Sequence, residues 1–229
     1  GFISCGTDHT IRIWTHQGDV YASGDEEYKN TSIIKTDSCC NGVDCSSTGI
    51  IAVTLCGSEN DVLTRTGTIQ LFIYRSGAFV LGLKDTNHPI FKLRFSPNGQ
   101  FLCCLTQVDT VDPEDPFGPT KIENMMLVYE NNASKVYTLK GKIKLPFSGE
   151  CLPHDLDFSL NSRYVRCSFL EGRDFSLYDL EQSDFGKDYT EIIFQDYDND
   201  NIPEEVTLLK SIEWSSNFVP FRWDTKFSY

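Results

Sequence analysis

The sequence predicts an all-β fold built from repeated four-stranded units. Three observations carry the prediction: short apolar alternations with a period of two, a serine that recurs just before a polar turn, and glycines and prolines that fall between the apolar runs. The 229 residues, 40% hydrophobic and 13% aromatic, are enough for one large all-β domain or two small ones. No Pro-rich or Gly/Ser-rich linker divides them.

The chain opens with two strands. Phe2-Ile3-Ser4-Cys5 and the alternating Ile11 and Ile13 flank the polar turn Gly6-Thr7-Asp8-His9-Thr10, and the second strand closes on Trp14. A unit of roughly 50 to 60 residues then recurs. Its first strand ends in a serine and a turn: Gly42-Val43-Asp44-Cys45-Ser46-Ser47-Thr48-Gly49, Phe91-Lys92-Leu93-Arg94-Phe95-Ser96-Pro97-Asn98-Gly99, and Asp155-Leu156-Asp157-Phe158-Ser159-Leu160-Asn161-Ser162. Second strands follow at Ile50 to Cys56, Gln100 to Thr106 and Arg163 to Phe169, and third strands at Thr68 to Tyr74, Asn124 to Tyr129 and Asp174 to Leu180. Fourth strands are read at Ala78 to Leu83 and Lys135 to Leu139. Four strands in this order form the blade of a β-propeller.

The first hairpin resembles a blade of the WD40 type. There an Asp in the tight turn between the second and third strands accepts backbone hydrogen bonds, and an aromatic residue packs beneath it; Asp8 and Trp14 fill those places here. The whole chain, 1–229, is therefore read as a WD-repeat propeller region: the tail of a blade at 1–35, blades at about 36–86, 87–148 and 149–209, and closing strands or a further blade at 210–229. That makes roughly four blades where a WD-type ring has about seven, so part of a larger atypical ring is expected to lie elsewhere or its open edges to be covered.

Longer motifs resemble one family, the echinoderm microtubule-associated protein-like proteins. Ile212-Glu213-Trp214-Ser215-Ser216 with Val219-Pro220-Phe221-Arg222-Trp223 is similar to that family's I-E-W-A-T element and the G-x-W after it. Leu156-Asp157-Phe158-Ser159-Leu160-Asn161-Ser162-Arg163-Tyr164-Val165 resembles its L-D-W-S-x-N-S-x-Y-L, and Phe95-Ser96-Pro97-Asn98-Gly99-Gln100-Phe101-Leu102 its Y-S-P-D-G-x-F-L. The chain departs from the family at Phe158, where a Trp is usual, and at Phe221-Arg222-Trp223-Asp224, where G-x-W-P is usual. Neither the family's hydrophobic signature motif nor its basic coiled-coil region is visible. The resemblance implies joined propellers whose surfaces contact tubulin or microtubules, a cytoplasmic and cytoskeletal location, and no catalysis.

Composition bears on the partner. The net charge of −13 argues against binding nucleic-acid phosphate or anionic lipid, which needs clustered Lys and Arg. It also opposes an acidic partner such as tubulin unless a local basic patch offsets it, and the evident cluster is Lys135, Lys140, Lys142 and Lys144. The alternative is a general interaction scaffold for a different, basic partner. No apolar run of about eighteen residues or more suggests a transmembrane helix, and the N-terminus lacks a signal-peptide pattern; a Gly leading directly into a strand suggests a start inside a larger protein or after a removed tag.

Nine cysteines, an odd number without a CxxC pair, point to reduced thiols packed as small hydrophobes and to an intracellular compartment. No cofactor is expected. The nearest approach to a metal loop is Asp196, Asp198 and Asp200, where alternating oxygens can converge on Ca²⁺; Asn201 and Thr207 stand where an EF-hand needs Gly and a bidentate Glu, which leaves a solvated loop as the bland reading. A second acidic loop, Asp109 to Pro119, carries three prolines, and its Phe117 is a candidate partner anchor. His88 and His154 precede first strands, where WD blades place a hydrogen-bonded histidine, and Trp214 and Trp223 read as packing residues. His9 lies in the turn beside Asp8; without a Ser or Cys nucleophile in a G-x-S-x-G or comparable setting none of these histidines makes a catalytic case, and no phosphate-binding glycine loop occurs, Gly67, Gly77 and Gly99 being placed at turns. The expectation is a non-enzymatic scaffold.

Overall fold

The computed structural model describes residues 1–17, 27–55, 67–86, 90–110, 118, 120–132, 136–148, 153–169 and 174–181. The chain divides into two compact units, Gly1–Leu93 and Arg94–Tyr229. Among the described residues there is no helix, and hence none long and apolar enough to cross a membrane.

The first unit holds two antiparallel sheets. One has the order β1 (Phe2–Cys5), β2 (Thr10–Gln17), β3 (Glu27–Lys35). The other has the order β4 (Cys40–Cys45), β5 (Ile50–Leu55), β6 (Gly67–Ile73), β7 (Phe79–Thr86), so neighbours in sequence are neighbours in space. Period-two alternation sets which side is buried. Ile11, Ile13 and Ile34 of the first sheet pack on Cys40, Ile51, Val53, Leu55 and Phe72 of the second.

The remaining strands repeat this pattern, the first of them beginning four residues ahead of the division at Arg94. A four-stranded meander runs β8 (Ile90–Phe95), β9 (Phe101–Thr110), β10 (Lys121–Asn131), β11 (Tyr137–Ser148). A three-stranded one runs β12 (Pro153–Phe158), β13 (Tyr164–Phe169), β14 (Asp174–Asp179). Phe101, Cys103, Leu105, Met126, Val128, Ile143 and Leu145 pack on Leu156, Phe158, Val165, Cys167, Tyr178 and Leu180 in one cluster. Fully buried large side chains such as Phe158 and Leu105 each contribute about 1.5–3 kcal/mol through burial.

The serine read before each turn has a definite task. Ser46, Ser96 and Ser159 each place a carbonyl to accept the N–H three residues on, from Gly49, Gly99 and Ser162, at 2.8 to 3.0 Å. Each hydroxyl oxygen also accepts the N–H that opens the next strand: Ile50 at 3.0 Å, Phe101 at 2.9 Å and Tyr164 at 2.9 Å. These turns need a left-handed residue, supplied by Gly49 (φ 81), Gly99 (φ 71) and Ser162 (φ 64), and by His9 (φ 58) in the β1–β2 turn.

Several sequence expectations change. Gly67 opens β6 opposite Thr86, within the ladder. The second and third strands of this unit reach beyond Thr106 and Asn124: β9 and β10 stay paired out to Thr110 opposite Lys121. His154 lies inside β12, at a register shift between Pro153 and Asp155, instead of ahead of the strand.

Candidate functional site

The β1–β2 turn is a polar knot. The Asp8 carboxylate accepts the Thr10 hydroxyl at 2.8 Å and pairs with the Arg12 guanidinium. The Thr10 hydroxyl, then Arg12, hold its carboxyl below the usual carboxylate range. Trp14 lies four residues further along β2 than Thr10. It lies opposite Phe2 in the ladder, stacks on that ring at 5.6 Å between centroids, and its Nε1–H donates to the Ser4 hydroxyl at 2.9 Å. Phe2 and Tyr28, 5.1 Å apart, remain 48% and 41% exposed on the same face.

The lysines on edge strand β11 do not share a face. Lys142 and Lys144 alternate with buried Ile143 and Leu145 and are exposed, as a regular strand requires. A β-bulge opposite Val128 and Tyr129 breaks that alternation at Lys140, which no residue of β10 faces in the ladder. Lys140 instead lies 4.8 Å over the Phe101 ring and pairs with Glu130 at 3.3 Å. Lys144 pairs with Glu123, so Lys140 and Lys144 are each matched by a carboxylate of β10. The basic patch is thus smaller than the sequence spacing implies.

Two arginine sites escaped sequence reading because each partner is distant in sequence. Arg163 grips both carboxylate oxygens of Asp179 from Nε at 3.1 Å and through Nη2 at 2.6 Å, which raises the guanidinium's proton affinity further. Arg166 and Asp157 stand opposite each other in the ladder and form a buried pair at 3.0 Å. Burial pulls the Arg166 guanidinium down while Asp157 pulls it back. The alternation that flags apolar core residues marks these positions only as outward-facing, so the sequence carries no signal of their burial.

The cysteines divide by environment. Cys103 and Cys104 are fully buried, and burial pushes both thiols up. Cys45 is shifted the same way by burial and by Asp44. Cys39 has another surrounding: its Sγ is 3.4 Å from His9 Nε2 and 3.3 Å from the Thr7 carbonyl oxygen. His88, Phe117, Lys135, Asp196, Asp198, Asp200, Trp214 and Trp223 lie outside the described residues. Among the described residues no three His, Cys, Asp or Glu side chains are grouped to hold a metal ion.

The all-β meanders, their serine-headed turns and their face-to-face packing define a partial β-propeller. No family model matches the chain, and no curated protein matches it. Among solved structures it is similar to Kuenenia stuttgartiensis hydrazine synthase, at a TM-score of 0.53 and 13% identity over 78% of this chain and 52% of that one. Two crystal structures of Chaetomium thermophilum Sqt1 also match, with TM-scores of 0.46 and 0.45 and 11% identity over 82% and 79% of this chain. The chain spans about half the length of these solved chains, 52% to 55%. At such identities the likeness is one of fold.

Proposed function

We propose that this chain is a protein-interaction scaffold, a propeller segment whose exposed turns and edge strands contact a macromolecular partner. The observation that carries this reading is where the polar chemistry goes. Ser46, Ser96 and Ser159 are spent on closing turns, and Asp8, Arg163 and Arg166 on intramolecular pairs, which builds a rigid frame for surface contacts. The resemblance to the echinoderm microtubule-associated protein-like family supports tubulin or microtubules as the partner and a cytoplasmic, cytoskeletal setting. Lys142 and Lys144, exposed on one face of β11, are the residues to meet that acidic partner.

A second reading is favoured by charge. The net charge of −13 and the pairing of Lys140 and Lys144 with Glu130 and Glu123 suit a basic protein partner. Co-sedimentation with polymerised microtubules, beside binding to unpolymerised tubulin and to a lysine-rich peptide across a salt range, separates the two. Tubulin binding that weakens with salt and is lost in Lys142→Glu/Lys144→Glu supports the first. Binding of the cationic peptide alone supports the second, and binding of neither at low salt overturns both.

A further inference from the structure

We propose that one face of the long β9–β10–β11 ribbon is a docking surface for an extended acidic segment of a partner protein, held by Lys121, Lys142 and Lys144. The inference rests on the scaffold reading above and gives its acidic partner a form and a site. Register brings the three lysines to one face from two strands. Lys144 stands opposite Met125 and Lys142 opposite Leu127. β10 stays in unbroken register with β9 from Glu130 to Lys121, so Lys121 lies on the same side as Met125 and Leu127. Lys140 falls outside the set, because the bulge places it over the Phe101 ring.

The ribbon is longer than its core requires. The apolar cluster beneath it reaches Leu105, Met126 and Leu145, whereas β9 and β10 remain paired as far as Thr110 and Lys121. Val108 and Met125, half-buried on the lysine face, offer an apolar floor between the charges.

Charge sets the class of occupant. Lys121, Lys142 and Lys144 are exposed, and among the described residues on this face of β9, β10 and β11 the one carboxylate is Glu123. Three ammonium groups against one carboxylate make a basic strip in a chain of net charge −13. Glu123 pairs with Lys144, but that lysine side chain is 63% exposed, and an exposed pair is weak enough for a second carboxylate to share. A broad anionic surface, such as a bilayer or a duplex, would bring its charge against the acidic remainder of the molecule, whereas a single extended peptide need touch only the strip.

Spacing sets its form. Side chains two apart on a strand lie roughly 7 Å from each other, as Lys142 and Lys144 do, and Lys121 is four residues, roughly 13 Å, beyond the Met125 that faces Lys144. An extended peptide has the same rise, so carboxylates at alternate positions fall in step with the lysines.

The test is fluorescence anisotropy on the intact chain with two labelled decapeptides of equal charge, one of five alternating Glu-Thr pairs and one of five Glu followed by five Thr. At about 0.1 M salt, charges more than about 10 Å away are screened and the strip acts locally. The alternating peptide is expected to bind more tightly, and Lys121→Glu and Lys142→Glu/Lys144→Glu each to weaken it about tenfold or more. Lys29→Glu/Lys35→Glu, a like change of charge at exposed lysines of β3, should leave its affinity within about twofold. Absence of binding by the alternating peptide overturns the proposal, as does equal binding of the two peptides or an equal loss in the β3 variant. The comparison of peptides on the wild type needs no variant to fold. Microtubule and lysine-peptide binding on the same proteins keeps the readings apart: failure of the acidic peptide with either of those intact overturns this surface and not the scaffold.

Discussion

The Ser162 hydroxyl oxygen accepts a hydrogen bond from the Asn98 backbone N–H at 3.1 Å, so the turn between β12 and β13 braces the turn between β8 and β9. Ser162 is buried and sits at φ 64, a conformation that costs a side-chain-bearing residue about 1 kcal/mol or more. Ser162→Ala keeps the strain and orphans the amide, which is expected to cost about 1–3 kcal/mol. Ser162→Gly loses the same bond but relieves the backbone, so its urea midpoint should lie above that of Ser162→Ala. The reverse order would mean that the hydroxyl's bond is not what holds this turn.

Gly49 isolates the conformational part of the same device. An added Cβ there meets nothing within 4 Å, so Gly49→Ala changes backbone energy without a clash. With φ at 81 the substitution should destabilise by about 1 kcal/mol. Gly49→Asn should cost less, because Asn tolerates the left-handed region. Equilibrium unfolding of the two variants checks the ordering.

The strands were legible in the sequence because the apolar period of two and the turn serines are local signals. Ile50 to Leu55, Phe101 to Thr106 and Tyr164 to Phe169 fall where the spacing places them. What depends on register was not legible. Lys140 was grouped with Lys142 and Lys144 from spacing alone, and one bulge opposite Val128 and Tyr129 separates it from them. The Asp157–Arg166 pair and the His9–Cys39 contact join residues that only the ladder or the junction between sheets brings together. The Trp14 stack on Phe2 likewise follows from pairing register.

The Asp157–Arg166 pair is expected to behave as a unit. With side chains only 4% and 9% exposed, each charge relies on the other. Arg166→Met alone leaves a buried carboxylate and should cost about 3–5 kcal/mol, as should removal of Asp157 alone. The double variant Asp157→Leu/Arg166→Met should cost markedly less than the sum of the two, because no charge is left unmatched. A double-mutant cycle by denaturant unfolding measures the coupling, and additive costs would show that the two side chains do not depend on each other.

Asp8 sets an acid-side test whose sign is fixed by its environment. The Thr10 hydroxyl bond, followed by Arg12, holds the folded-state carboxyl below its ordinary value of 3.8, so the ionised form favours the native state. A depressed folded-state value contributes stability that is fully present above the unfolded value. That contribution is lost as pH falls from 3.8 through the lower folded value. Asp8→Asn removes the ionisable group, so it should lower the urea midpoint at neutral pH and flatten the acid limb of the stability curve, with the two proteins converging below the folded-state value. Because Asp8 and Arg12 are both partly exposed, added salt should narrow the gap at neutral pH by screening the ion pair while the Thr10 hydrogen bond persists. A gap that widens on acidification would mean that Asp8 is more readily protonated in the native state, and that the β1–β2 turn is held by something other than its carboxylate.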